Sequence, residues 1–134
     1  PVMRTAVDSS VLLDVLTNDP AFAEASATAL RQAMTEGVLL VCETVVAEIL
    51  PVLEEETLPA FLEDWGIRFT AGDLTSARLA GSHFGRYLER TNKKQVMVPD
   101  FLIGAHAQIH SDRLLARDRG YLRDYFEGLT VWIP

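Results

Sequence analysis

The chain has 134 residues, 49% of them hydrophobic and 23% charged, the balance expected of one soluble globular domain spanning 1–134. Nineteen acidic residues against twelve basic ones give a net charge of -7. That speaks against a protein that grips nucleic acid by bulk positive charge, but not against one that reaches it through metal ions. The single cysteine, Cys42, excludes an internal disulfide and a zinc knuckle, and fits a reducing, cytoplasmic setting.

In chain order, Arg4–Val7 reads as a strand ending at Asp8, and Val11–Leu16 suits a short helix. Asp19-Pro20 is a helix start, aspartate as cap and proline at the first position. That helix runs through Ala33 and stops near Gly37. Val38–Val41 is a continuous apolar run, as in a buried strand. Residues 43–53 look helical, with Val45, Val46, Ile49 and Leu53 on one face, and Pro51 kinks or ends the helix. Glu54–Trp65 is a second helical stretch, and Ile67–Thr70 a third strand. Asp73–Arg90 is a long amphipathic helix, Thr91–Val98 a loop, and Pro99-Asp100 opens another helix. Arg113–Ala116 is a fourth strand, Tyr121–Phe126 a short helix and Thr130–Ile133 a fifth strand. Residues 1–3 are assigned no role. No apolar run reaches the length of a membrane span, and the first residues do not make a signal peptide.

Alternating strands and helices predict an α/β fold, a three-layer α/β/α sandwich on a mainly parallel five-stranded sheet. Functional groups in such sheets gather beyond the carboxyl ends of the strands. Asp8 and Asp118 sit there, after the first and fourth strands. Glu48 and Asp100 sit on helices beside apolar faces. Singly, each has a plain reading: a turn or cap for the aspartates, a side chain reaching solvent for Glu48. Four carboxylates at one sheet edge would repel one another unless divalent cations joined them. Oxygen-only ligands suit Mg²⁺ or Mn²⁺ rather than zinc. Such ions activate water and stabilise the leaving oxygen of a phosphodiester.

The segments Ala-Val-Asp-Ser-Ser-Val-Leu-Leu-Asp, Val-Val-Ala-Glu-Ile-Leu, Pro-Asp-Phe-Leu-Ile-Gly-Ala-His-Ala and Leu-Leu-Ala-Arg-Asp-Arg-Gly-Tyr occur in that order. In order and spacing they resemble the PIN-domain ribonucleases, and more narrowly the VapC-type toxins of bacterial toxin–antitoxin pairs. The resemblance spans essentially the whole chain. It implies a five-stranded parallel α/β/α fold and a Mg²⁺- or Mn²⁺-dependent endoribonuclease. Asp8, Glu48, Asp100 and Asp118 match the family's acidic positions as catalytic and metal-binding residues. Ser10 falls where a polar residue often supports the first aspartate. The chain departs from the family at Ala116, where serine or threonine often stands, which puts rate and metal geometry in question. The implied partners are RNA, a VapB-like antitoxin whose basic tail covers the acidic groove, and a second copy in a homodimer. The region Val52–Trp65 reads as a partner surface or as an ordinary amphipathic helix.

Other residues have two readings each. Arg117 and Arg119 flank Asp118, and Arg86, Arg90, Lys93 and Lys94 cluster before Asp100. They are phosphate contacts or solvated helix ends. Asp14 approaches the metal, or is a solvated or capping residue. His106 and His110 share a helix face, with core or surface roles favoured over metal binding. Ser9 and Ser10 lack a base and so are not nucleophiles, and Cys42 is a buried structural thiol. A PIN-like RNA- or protein-binding module without cleavage, and a housekeeping RNA-processing nuclease, are the rival functions. A phospho-acceptor receiver domain is discounted because Thr70-Ala71-Gly72, not aspartate, follows the third strand.

Overall fold

The computed structural model describes residues 2–90, 98–117 and 120–134. Among these residues, five strands, β1 (Met3–Val7), β2 (Gly37–Val41), β3 (Ile67–Phe69), β4 (Arg113–Leu115) and β5 (Val131–Trp132), form one sheet in the order β3-β2-β1-β4-β5. All four pairings are parallel. The register sets Met3 against Gly37 and Val7 against Leu115. Parallel strands in an α/β protein are covered on both faces, and these read accordingly: Ala6, Val7, Leu39, Leu40, Val41, Leu114 and Leu115 are all buried.

Among the described residues, seven α-helices connect the strands: α1 (Ser9–Leu16), α2 (Ala23–Glu36), α3 (Glu43–Ile49), α4 (Leu58–Asp64), α5 (Leu74–Arg90), α6 (Val98–His110) and α7 (Gly120–Tyr125). With the right-handed crossovers usual between parallel strands, this strand order puts α1–α4 on one face of the sheet and α5–α7 on the other, as in a three-layer sandwich. Chain order runs outward from β1 through β2 to β3, then returns to β4 on the other side of β1. The carboxyl ends of β1 and β4 therefore mark the topological switch point, where open α/β sheets place their ligands.

The differences from the sequence reading have local causes. The helix expected from Asp19-Pro20 begins only at Ala23, because the Asp19 carboxylate accepts hydrogen bonds from the Ala21 and Phe22 amides and holds a turn there. The helix expected over 43–53 ends at Ile49, and Leu50–Val52 continues as a 3₁₀ turn around Pro51, which has no N–H to donate. The stretch 54–65 splits into a 3₁₀ turn at Glu55–Thr57 and α4, with Pro59 in the first turn. Of the expected loop Thr91–Val98, residues 91–97 lie outside the described residues and Val98 already begins α6.

Two glycines are fixed by close approach. A Cβ on Gly37 would lie 1.9 Å from the Met3 carbonyl oxygen in the neighbouring strand. A Cβ on Gly104 would lie 2.7 Å from the Phe126 ring, so a bare backbone lets α6 settle on the residues around α7. Phe101, fully buried, meets Phe84, Tyr87 and Tyr125 at centroid distances of 5.5, 5.6 and 5.6 Å. That aromatic cluster anchors the first turn of α6, and with it Asp100. Among the described residues, no helix is long and apolar enough to cross a membrane.

Candidate active site

Strand β1 delivers Asp8 to the switch point and α1 begins at the next residue. Asp8 is only 1% exposed. Its carboxylate caps α1: Oδ2 accepts from the Ser10 amide at 3.1 Å and from the Ser10 hydroxyl at 2.5 Å. A charged acceptor at a helix N-terminus is favoured by the orphan amides and the helix dipole. The capping reading of Asp8 and a functional reading are thus compatible, since both use a carboxylate fixed at the strand end.

Ser10 also ties β1 to β4. Its Oγ accepts from the Arg117 amide at 3.1 Å while donating to Asp8. Ala116, which lacks the hydroxyl common in the family, is fully buried. Ser10 places its hydroxyl between the two strand ends.

Glu48 arrives from α3. Buried Val45 and Ile49 hold the inner face of that helix, which leaves Glu48 at its edge. There its Oε1 accepts from Ser9 Oγ at 2.9 Å. Because Ser9 directly follows Asp8, this bond brings the Glu48 carboxylate to the end of β1. The sequence reading sets Ser9 aside as no nucleophile; the local signal for this contact is its place beside a strand-end aspartate.

Asp100 stands in the first turn of α6, as its third residue rather than its cap. The helix enters β4 from the opposite edge, so its start lies at the carboxyl edge of the sheet. Asp118 and Arg119 lie outside the described residues, as do Lys93 and Lys94. Among the described residues, no three His, Cys, Asp or Glu side chains stand close enough to hold one ion.

The basic residues have specific partners. Arg117 Nε and Nη2 donate to Asp14 Oδ2 and Oδ1 at 3.0 and 2.9 Å, and its guanidinium lies 4.1 Å from the Phe22 ring centroid. Asp14, which the sequence reads as a metal neighbour or as a solvated or capping residue, is 2% exposed and also accepts from Ser26 Oγ at 2.7 Å. Arg86 donates to His83 Nδ1 and to the Tyr125 carbonyl, and Arg86 and Arg90 both lie over the Tyr125 ring. Burial, helped by the Arg86 charge, holds the His83 imidazole below its ordinary pKa.

His106 and His110 form no part of this site. The buried His106 donates from Nε2 to the Thr70 carbonyl at 2.7 Å, and its burial lowers its pKa. His110 Nε2 lies 3.1 Å from Asp73 Oδ2. Hydrogen bonds from Ser76 hold the Asp73 carboxyl below its ordinary pKa. Cys42 is buried, and burial pushes its thiol pKa up, as expected of a structural cysteine rather than a nucleophile.

A family model for the PIN domain matches residues 5–126. In fold, the chain is similar to a chain in the crystal structure of VapBC2 from Rickettsia felis bound to a promoter DNA fragment, with a TM-score of 0.75, 13% identity and 98% of each chain covered. It is similar to a chain of DNA-bound VapBC from Salmonella typhimurium, at 0.71, 12% and 98% of each. It is also similar to a chain of FitAcB from Neisseria gonorrhoeae, at 0.68, 20% and 96% of each. Among curated proteins none matches this chain in sequence. The family match covers the strand-end acids, and the sheet order agrees with it: the chain belongs to the PIN domain family.

Proposed function

We propose that the protein is a metal-dependent endoribonuclease and the toxin of a VapBC-type toxin–antitoxin pair. One observation carries this reading: in a PIN fold, the buried Asp8 carboxylate and the Glu48 carboxylate are brought together through Ser9 at the switch point of the sheet. Two carboxylates gathered by their own hydrogen-bonded neighbours fit a hard divalent cation, Mg²⁺ or Mn²⁺. Asp8 and Glu48 would hold it, joined by Asp118, next in the chain after Arg117; Asp100, at the start of α6, does not stand close enough to both Asp8 and Glu48 to share one ion with them in this structure. Bound there, the ion would polarise a phosphate oxygen and activate an attacking water.

The residues of the chain supply the rest. Ser10 fixes Asp8 Oδ2, so the carboxylate does not have to be ordered when substrate arrives. Arg86 and Arg90, with Lys93, Lys94 and Arg119, are assigned to RNA phosphates. The excess of acid is in part the concentrated carboxylate set, which a cation neutralises locally, so the net charge is compatible with an RNA substrate. The VapBC structures similar to this chain support a VapB-like antitoxin as partner, and a homodimer, cytoplasmic setting and single 1–134 domain belong to the same reading.

The test is cleavage of RNA by the purified protein. With Mg²⁺ or Mn²⁺ it should cut, and EDTA or Asp8→Asn should abolish cutting. Cleavage that persists in Asp8→Asn would sink the mechanism. RNA binding without cleavage or metal uptake would establish the non-cleaving module instead.

A further inference from the structure

We propose that Asp14 is a positioning residue for the metal site, acting on Asp8 through Arg117 and Ser10. The proposal rests on the nuclease reading and adds two residues to it. The chain of contacts is continuous. Ser26 Oγ donates to Asp14 Oδ2, and Asp14 accepts both Nε and Nη2 of Arg117. The Arg117 amide donates to Ser10 Oγ, and Ser10 Oγ donates to Asp8 Oδ2. Asp118 is one peptide bond beyond Arg117. The same anchor therefore reaches the first proposed ligand, Asp8, through hydrogen bonds.

The alternative is that Arg117 reads an RNA phosphate. Its geometry favours the anchor. The Asp14 side chain is 2% exposed and that of Arg117 36%, so the arginine reaches inward to a carboxylate in the protein interior. Two parallel N–H bonds fix the guanidinium plane, and the Phe22 ring stands 4.1 Å away on one side. A guanidinium held this way sets the path of its own backbone. That backbone is the turn leaving β4, where Arg117 N–H meets Ser10. Partners of this kind around metal ligands orient them, and their loss typically weakens metal binding.

The experiment measures Mn²⁺ binding to the full chain by electron paramagnetic resonance of free Mn²⁺, alongside RNA cleavage kinetics. The variants are Asp14→Asn, Arg117→Lys and the milder Ser26→Ala, with circular dichroism to check folding. The expected result is Mn²⁺ affinity and kcat each reduced about 10-fold in Asp14→Asn and Arg117→Lys, with KM for RNA unchanged. Ser26→Ala should move both in the same direction by less, and it decides the matter if Asp14→Asn does not fold. Mn²⁺ affinity equal to wild type in the folded variants would overturn the proposal. So would a raised KM for RNA in Arg117→Lys alone, which would make Arg117 a phosphate contact. A wild-type protein that neither binds Mn²⁺ nor cuts RNA would overturn the nuclease reading, and this proposal with it.

Discussion

Ser9 Oγ donates a hydrogen bond of 2.9 Å to Glu48 Oε1, across 39 residues of sequence. It joins the first turn of α1 to the edge of α3, and it brings the Glu48 carboxylate to the residue that follows Asp8. Removing that hydroxyl tests whether the approach matters. Ser9→Ala should cost about 1 kcal/mol of stability, the usual worth of one such bond. It should lower metal-dependent RNA cleavage by about 10-fold, as for loss of a partner that orients a metal ligand. Single-turnover cleavage beside urea denaturation separates the two effects.

Close packing at Gly104 should make that position intolerant. The added methyl of Gly104→Ala would meet Phe126 and Leu122 atoms at 2.7 and 2.9 Å. Overpacking of this kind costs about 1–3 kcal/mol. Gly37→Ala should cost more, because the atom it meets belongs to the β1 backbone and cannot turn aside. Urea midpoints for the two variants give the order directly.

Stability should fall as pH falls through the histidine range. Burial lowers the folded-state pKa of His106 below 6.5, and that of His83 likewise. Below the unfolded pKa the unfolded chain binds more protons than the folded one, so stability rises with pH across that window and is lost as pH drops from about 7 through the unfolded pKa. His106→Gln should flatten this slope in part, with His83 retaining its share. Tm measured from pH 7.5 to 5.5 in both proteins is the check; equal slopes would contradict it.

Arg113 offers a control far from the site. It opens β4 at the amino edge of the sheet, pairs with Glu36, donates to Thr5 Oγ1 at 2.9 Å and lies 4.5 Å from the Trp132 ring centroid. Arg113→Leu should destabilise by about 1–2 kcal/mol through lost cation–π contact and hydrogen bonding. RNA cleavage per folded molecule should stay unchanged.

What the sequence made legible depended on distance along the chain. The apolar run before Asp8 and the alternation of elements marked the strands, the α/β class and Asp8 at a strand end, because those signals lie within a few residues. Pro51 and Pro59 broke the apparent helices locally, as their missing N–H groups require. The strand order was not legible, and with it the fact that β1 and β4 are neighbours at a switch point. The contacts of Ser9 and Asp14 were not legible for the same reason. Their partners, Glu48 and Arg117, lie 39 and 103 residues away, and nothing local distinguishes them from turn or surface residues.

The central claim is that Asp8 and Glu48 act as one unit on a divalent cation at the end of β1. A double-mutant cycle on Mn²⁺-dependent RNA cleavage tests it most directly, with Asp8→Asn, Glu48→Gln and the pair. Residues that act as a unit are strongly non-additive. Each single variant should therefore lose nearly all activity, and the double variant should lose little more than either. Cleavage surviving in Asp8→Asn, or losses that simply multiply in the double variant, would contradict it.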